Sequence, residues 1–146
     1  MLKVVGIHVV GVKRQAAVDQ ATADAVFALQ ELPRLWSEAD HVISTLPADT
    51  GTDHLFDEAA FAAMRPTAGF YNLGRGNAVD EAALLRALST GRIAHAFLDV
   101  FEREPLPADS PLWNAPNLAL TPHASAINAE YLDLWVEELA SVLSEA

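Results

Sequence analysis

The residues able to do chemistry fall at four places, each just after an apolar, strand-like run. Arg75 stands between Gly74 and Gly76, Asp99 follows Ala-Phe-Leu, His123 follows Pro122, and Leu46-Pro47 closes the run that begins at Val42. Arginine holds a carboxylate through two parallel hydrogen bonds, and histidine gives or takes a proton near neutral pH. A carboxylate orients the imidazole and favours its charged form. Together these groups suit proton transfer to the carbonyl of an anionic substrate. The glycines beside Arg75 let the backbone turn tightly and let a ligand come close. Asp99, Glu102 and Glu104 also admit a solvated edge or a hard-cation site. None of these three carboxylates stands four residues from another, the spacing of helical ligands, so no metal is expected. His8, His41, His54 and His95 read as core or surface histidines.

These residues need strands to present them. Lys3 to Val12 is β-branched and almost wholly apolar, the composition of a strand buried on both faces, with Lys13-Arg14 ending it. The alanine-rich Gln15 to Leu29 leaves helix and loop both open. Pro33 suits the first turn of a helix to about Ala39, with Leu32, Leu35 and Trp36 on one side. Strands are expected at Val42 to Leu46, Phe70 to Leu73, Ala94 to Val100 and Leu118 to Thr121. Between them lie a helix capped by Asp57 and running to Met64, and a helix from Asp80 to Ser89 closed by Gly91. A connection with four prolines, anchored by Leu112-Trp113, precedes the last strand. A final helix from Asn128 carries the apolar stripe Leu132, Trp135, Val136, Leu139 and Leu143. Strands alternating with helices predict an open parallel α/β sheet, in which ligands sit at the carboxyl ends of the strands.

Composition narrows the partners. With 146 residues, 51% of them apolar, the chain is long enough for one domain with a core. Its formal charge of -11 repels phosphate backbones and anionic membrane surfaces, so neither nucleic acid nor membrane is expected as a partner. There is no cysteine, and no apolar run approaches the roughly 18 residues of a membrane span. A soluble, cytoplasmic protein is expected.

The segments VISTLPADTGTDHLF, NLGRGNAVDEAALLRAL, AFLDVFEREPLPADSPLWNAPN and LTPHA, in that order and spacing, resemble the nucleotide-binding domain of the D-isomer-specific 2-hydroxyacid dehydrogenases, near the glyoxylate/hydroxypyruvate reductase branch. The resemblance covers about Ala39 to Ala126 closely. It implies a Rossmann-like doubly wound sheet and hydride transfer between NAD(P)H and a small 2-oxo acid. Arg75 would clamp the substrate carboxylate. Glu104, 29 positions after Arg75, would partner the proton donor His123, 19 positions further on. Asp99 would fix the nicotinamide carboxamide, while Leu46, Pro47, Leu73, Gly74 and Ser125 match cofactor-lining positions.

The chain departs from the family at its start. The resemblance implies a first strand and a G-x-G-x-x-G turn that hold the cofactor pyrophosphate, and a substrate domain. None of these is recognisable here, so the sheet is expected to be incomplete and the chain to be a partial NAD(P)-binding domain. Lys3 to His8 aligns with the family's second strand, putting His8 where an acid usually holds the adenine ribose; with Lys13 and Arg14 nearby this favours NADP over NAD. The absent strand would lie mid-sheet, leaving neighbours with unpaired backbone groups. Three outcomes are open: the first strand moves into the gap, another chain fills it, or the chain folds poorly alone. A second function stays in view, a catalytically inactive nucleotide-domain fragment or a regulatory binding module. The Trp135 helix would pack on this domain, on a substrate domain or across a homodimer.

Overall fold

A computed structural model describes residues 6–13 and 23–125. The predicted final helix with Trp135, and residues 15–22 of the alanine-rich segment, lie outside the described residues.

Two parallel blocks of strand make up the architecture. Strand β1 (Val10–Lys13) pairs with β2 (Ala25–Ala28), Val10 opposite Ala25. After helix α1 (Leu32–Glu38) come β3 (His41–Ser44), α2 (Glu58–Ala63), β4 (Gly69–Asn72), α3 (Glu81–Ser89), β5 (His95–Leu98) and β6 (Leu118–Leu120). The last four strands form one sheet in the order β3-β4-β5-β6, all parallel, with Val42, Phe70, Ala96 and Leu118 in one row.

Local chemistry accounts for the helices. Asp57 accepts from the Ala60 amide at 2.8 Å and Asp80 from the Ala83 amide at 2.9 Å, each satisfying an orphan donor at a helix start. Gly91, at φ +67°, closes α3 in the left-handed conformation that glycine adopts without strain. All three helices lie on one face of the four-stranded sheet. There Phe61 meets Phe70 edge-on at 5.3 Å, and Met64, Leu84, Ile93, Leu98 and Leu112 fill the same core. The opposite face is more open among the described residues, with Ile43 52% exposed.

Several sequence readings need correction. The described strand is Val10–Lys13: of the expected Lys3 to Val12, residues 3–5 lie outside the described residues, Gly6 turns at φ +81°, Ile7 to Val9 are not strand, and Lys13 belongs to the strand. Nor is this strand buried on both faces, since Val10 is 39% exposed and, among the described residues, only β2 flanks it. His8 therefore precedes the strand instead of ending it, and its ring lies 3.5 Å from Asp24. The undecided segment before Leu29 supplies strand β2. Finally, β1 does not move beside β3: it pairs with β2, and among the described residues the outer edge of β3 has no partner strand.

In the proline-rich connection, Leu112 is the buried anchor, whereas Trp113 is exposed and uses its indole to donate to the Pro107 carbonyl at 2.8 Å.

Candidate active site

The exits of β3, β4, β5 and β6 lie along one edge of the sheet, and Leu46, Pro47, Leu73, Gly74, Arg75, Asp99, Glu104, His123 and Ser125 all fall on them. At the end of β4, Asn72 is fully buried. Its amide donates to the Arg75 carbonyl at 3.0 Å and accepts from the Gly74 amide at 3.2 Å, fixing the turn that presents Arg75. The two glycines serve backbone packing. A Cβ on Gly74 would lie 2.5 Å from the Leu46 backbone, and one on Gly76 would lie 1.9 Å from the Phe101 carbonyl. Arg75 is thus mounted between the exits of β3 and β5, its side chain exposed and its Nη1 donating to the Gly74 carbonyl at 2.7 Å.

Asp99, at the end of β5, is 0% exposed. It accepts from the Thr121 hydroxyl, from the Ala124 amide at 2.8 Å and from the Ser125 amide at 2.9 Å. Its backbone carbonyl accepts from the His123 amide at 2.8 Å. Burial alone would raise this carboxyl, but hydrogen bonds from Ser125, Thr121 and Ala124 outweigh it and hold Asp99 far below the usual carboxylate range. Asp99 is therefore the post on which the His123 turn hangs.

Glu104 is fixed at both oxygens. Oε1 accepts from the Phe101 amide at 3.0 Å, and Oε2 lies 2.8 Å from His123 Nδ1. Burial pushes this carboxyl up, but the His123 and Phe101 hydrogen bonds, with the charges of His123 and Arg75, bring it below its ordinary value. That Arg75 contributes puts the guanidinium within electrostatic reach of the pair. His123 itself sits at φ +55°, an uncommon conformation for a residue with a side chain.

Of the predicted residues, Asp99, Glu104 and His123 are joined by hydrogen bonds, and Arg75 acts on Glu104 through its charge. Leu46 is half-buried, Leu73 is 38% exposed, and Pro47 and Ser125 are exposed at the same edge. This patch suits the flat apolar face of a nicotinamide. The described residues do not offer a place for a pyrophosphate: no glycine-rich turn opens a helix among them, and the amides starting α2 and α3 are capped by Asp57 and Asp80. Glu102 turns to a partner apart from Asp99 and Glu104, the Glu81 amide at 3.3 Å. Among the described residues no three histidine or carboxylate side chains make a metal site.

Sequence reasoning missed Asn72, Thr121 and the Glu102 contacts. A polar residue ending an apolar strand just before Gly-Arg-Gly was a usable signal for Asn72. The partners of the other two lie 22 and 21 residues away, beyond local pattern.

The model of the D-isomer specific 2-hydroxyacid dehydrogenase NAD binding domain matches residues 1–125. A glyoxylate/hydroxypyruvate reductase B from Citrobacter koseri is 49% identical over 100 residues, 68% of this chain and 31% of that protein. A D-isomer specific 2-hydroxyacid dehydrogenase family protein from Aeromonas salmonicida superposes with a TM-score of 0.83 at 43% identity, over 98% of this chain and 46% of that one. The NADPH-dependent glyoxylate/hydroxypyruvate reductase of Sinorhizobium meliloti gives a TM-score of 0.80 at 30% identity, over 99% of this chain and 58% of that one. The chain thus spans well under two thirds of the relatives it matches. Its fold is the Rossmann-like α/β arrangement expected, and the chain belongs to the D-isomer specific 2-hydroxyacid dehydrogenase family, in its NAD-binding domain.

Proposed function

We propose that this chain contributes the proton-transfer and substrate-clamping groups of a reductase that interconverts a small 2-oxo acid, such as glyoxylate or hydroxypyruvate, and its 2-hydroxy acid. The observation that carries the reading is the Glu104–His123 contact of 2.8 Å beside Arg75. Glu104 engages Nδ1, which leaves Nε2 as the nitrogen available to a substrate. In reduction His123 gives its proton to the carbonyl oxygen, and Glu104 holds Nδ1 and so orients the ring. Arg75 holds the substrate carboxylate and polarises the adjacent carbonyl. A bound nicotinamide supplies or accepts the hydride at the carbonyl carbon, so that oxo acid, reduced cofactor and one proton give hydroxy acid and oxidised cofactor. Leu46, Pro47 and Leu73 shield the reacting face from water, and Asp99 keeps the His123 turn in place.

NADP is the better match of the two cofactors. Strand β1 ends on exposed Lys13, with Arg14 next in sequence, so cations rather than an acid stand where the adenine ribose would be read. The Sinorhizobium relative is by name NADPH-dependent. The same reading places the protein in the cytoplasm with its cofactor, and a homodimer is compatible with it; light scattering tests the latter.

The experiment is oxidation of NADPH and NADH by the purified protein with glyoxylate or hydroxypyruvate, alongside calorimetric titration of each cofactor. Turnover abolished by replacing Arg75 or His123 supports the reading. Turnover that survives loss of both overturns it.

A further inference from the structure

The turn from Phe101 to Glu104 carries one acid of the site, yet it has no regular secondary structure of its own. It is held instead by a second acid. The Glu102 amide donates to Glu81 Oε1 at 2.9 Å, and the Glu81 amide donates to Glu102 Oε1 at 3.3 Å. Glu81 is the first residue of α3, whose amide has no partner within the helix, so each glutamate satisfies a donor of the other's segment. The crowding of these two acids is visible in Glu81, whose carboxyl is pushed up by burial and by the charge of Glu102.

A third group joins them. His54 Nε2 lies 3.2 Å from Glu102 Oε1, and His54 is held at φ +48°, a conformation costly for a residue with a side chain. Its amide donates to the Asn77 carbonyl at 2.8 Å, tying the β3 exit to the residue two places after Arg75. With Gly76 packed directly on the Phe101 carbonyl, the exits of β3, β4 and β5 and the start of α3 converge on Glu102.

We infer that Glu102, braced by Glu81 and His54, is a positioning residue that sets the Phe101–Glu104 turn and so aims the Glu104 carboxylate at His123. None of the three approaches the His123 ring in the contacts described, and their action passes through the backbone of the turn. What the aim achieves in catalysis rests on the reading above; the aim itself is a property of this chain's geometry. As an exposed contact, that between Glu102 and His54 contributes little to global stability, so the local effect is separable from unfolding.

The test is a titration of the Glu104 side-chain carboxyl carbon by NMR in the full chain, for wild type, E102Q and E102A, with thermal unfolding of each. Removing the Glu102 charge by itself lowers the Glu104 midpoint, because a neighbouring anion is gone. Loss of aim does the opposite, since Glu104 then loses its His123 hydrogen bond. The expected result is a midpoint in E102A raised by about half a pH unit or more relative to E102Q, which keeps an oxygen for the Glu81 amide, with unfolding temperatures close to wild type. An E102A midpoint equal to or below that of E102Q overturns the inference. If E102A does not fold, E81A against E81Q decides in the same way, since Glu81 Oε1 holds the turn from the other side. Absence of turnover would count against the proposed reaction and leave this measurement intact.

Discussion

Gly76 lies so close to Phe101 that a methyl group on its Cα would stand 1.9 Å from the Phe101 carbonyl carbon and oxygen. Both contacts are backbone, so no rotamer change relieves them. Gly76→Ala is expected to destabilise the chain by about 1–3 kcal/mol through forced separation of the β4 and β5 exits. Urea unfolding measures it, and an unchanged midpoint would mean that the two turns are not packed as described.

Asn72 offers a polar counterpart. An Asn72→Leu variant keeps a similar volume but leaves the Arg75 carbonyl and the Gly74 amide without the partners they have at 3.0 and 3.2 Å. The expected cost is about 1–3 kcal/mol in a buried setting. Substrate-carboxylate affinity should fall with it, since the turn that presents Arg75 loses its brace. Calorimetry with a 2-hydroxy acid and bound cofactor reads the second effect.

The Asp99 carboxyl gives a pH dependence with a definite sign. Because it is depressed in the folded state, its stabilisation is present above the ordinary carboxylate range and is lost as pH falls through and below it. Asp99→Asn should therefore cost about 1–3 kcal/mol near neutral pH, and the gap between variant and wild type should narrow in acid. Thermal unfolding across a pH series checks this, and a gap that widens in acid would contradict the buried-acceptor role. Glu104 adds a smaller contribution of the same sign, because its side chain is 36% exposed and partly screened by solvent.

His123 sits at φ +55°, so replacement by alanine would mix backbone strain with lost chemistry. Asparagine tolerates that region and carries no imidazole. His123→Asn should leave the unfolding midpoint nearly unchanged while reducing reductase turnover roughly 10²–10⁴-fold, the usual scale for a general acid. Stopped-flow oxidation of NADPH gives the rate. A loss of less than tenfold would remove His123 from the proton-transfer role.

How much of this was legible depended on the range of the interaction. The caps Asp57 and Asp80 and the C-terminal Gly91 act within one helical turn, and their places were evident from spacing alone. Arg75, Asp99 and His123 could be placed at one sheet edge because each follows its own strand. The start of β1 was not legible because Lys3 to Val12 is almost wholly apolar, and composition does not show where Gly6 turns. Strand β2 is only four residues, two of them alanine, too short for its period to emerge. The Glu81–Glu102 clamp and the Asp99–Thr121 contact join residues 21 and 22 positions apart, which only the assembled sheet brings together.

The way His123 is hung has a consequence for motion. Its amide is fastened to the Asp99 carbonyl and its ring to Glu104, so both attachments belong to one stretch of six residues leaving β5. Donor and partner therefore travel as one rigid unit, and a hinge cannot open between them without first breaking the Asp99 contacts. Closure of any other element over this edge can exclude water from the pair, but it has no part in assembling the pair. The two side chains are joined before anything binds.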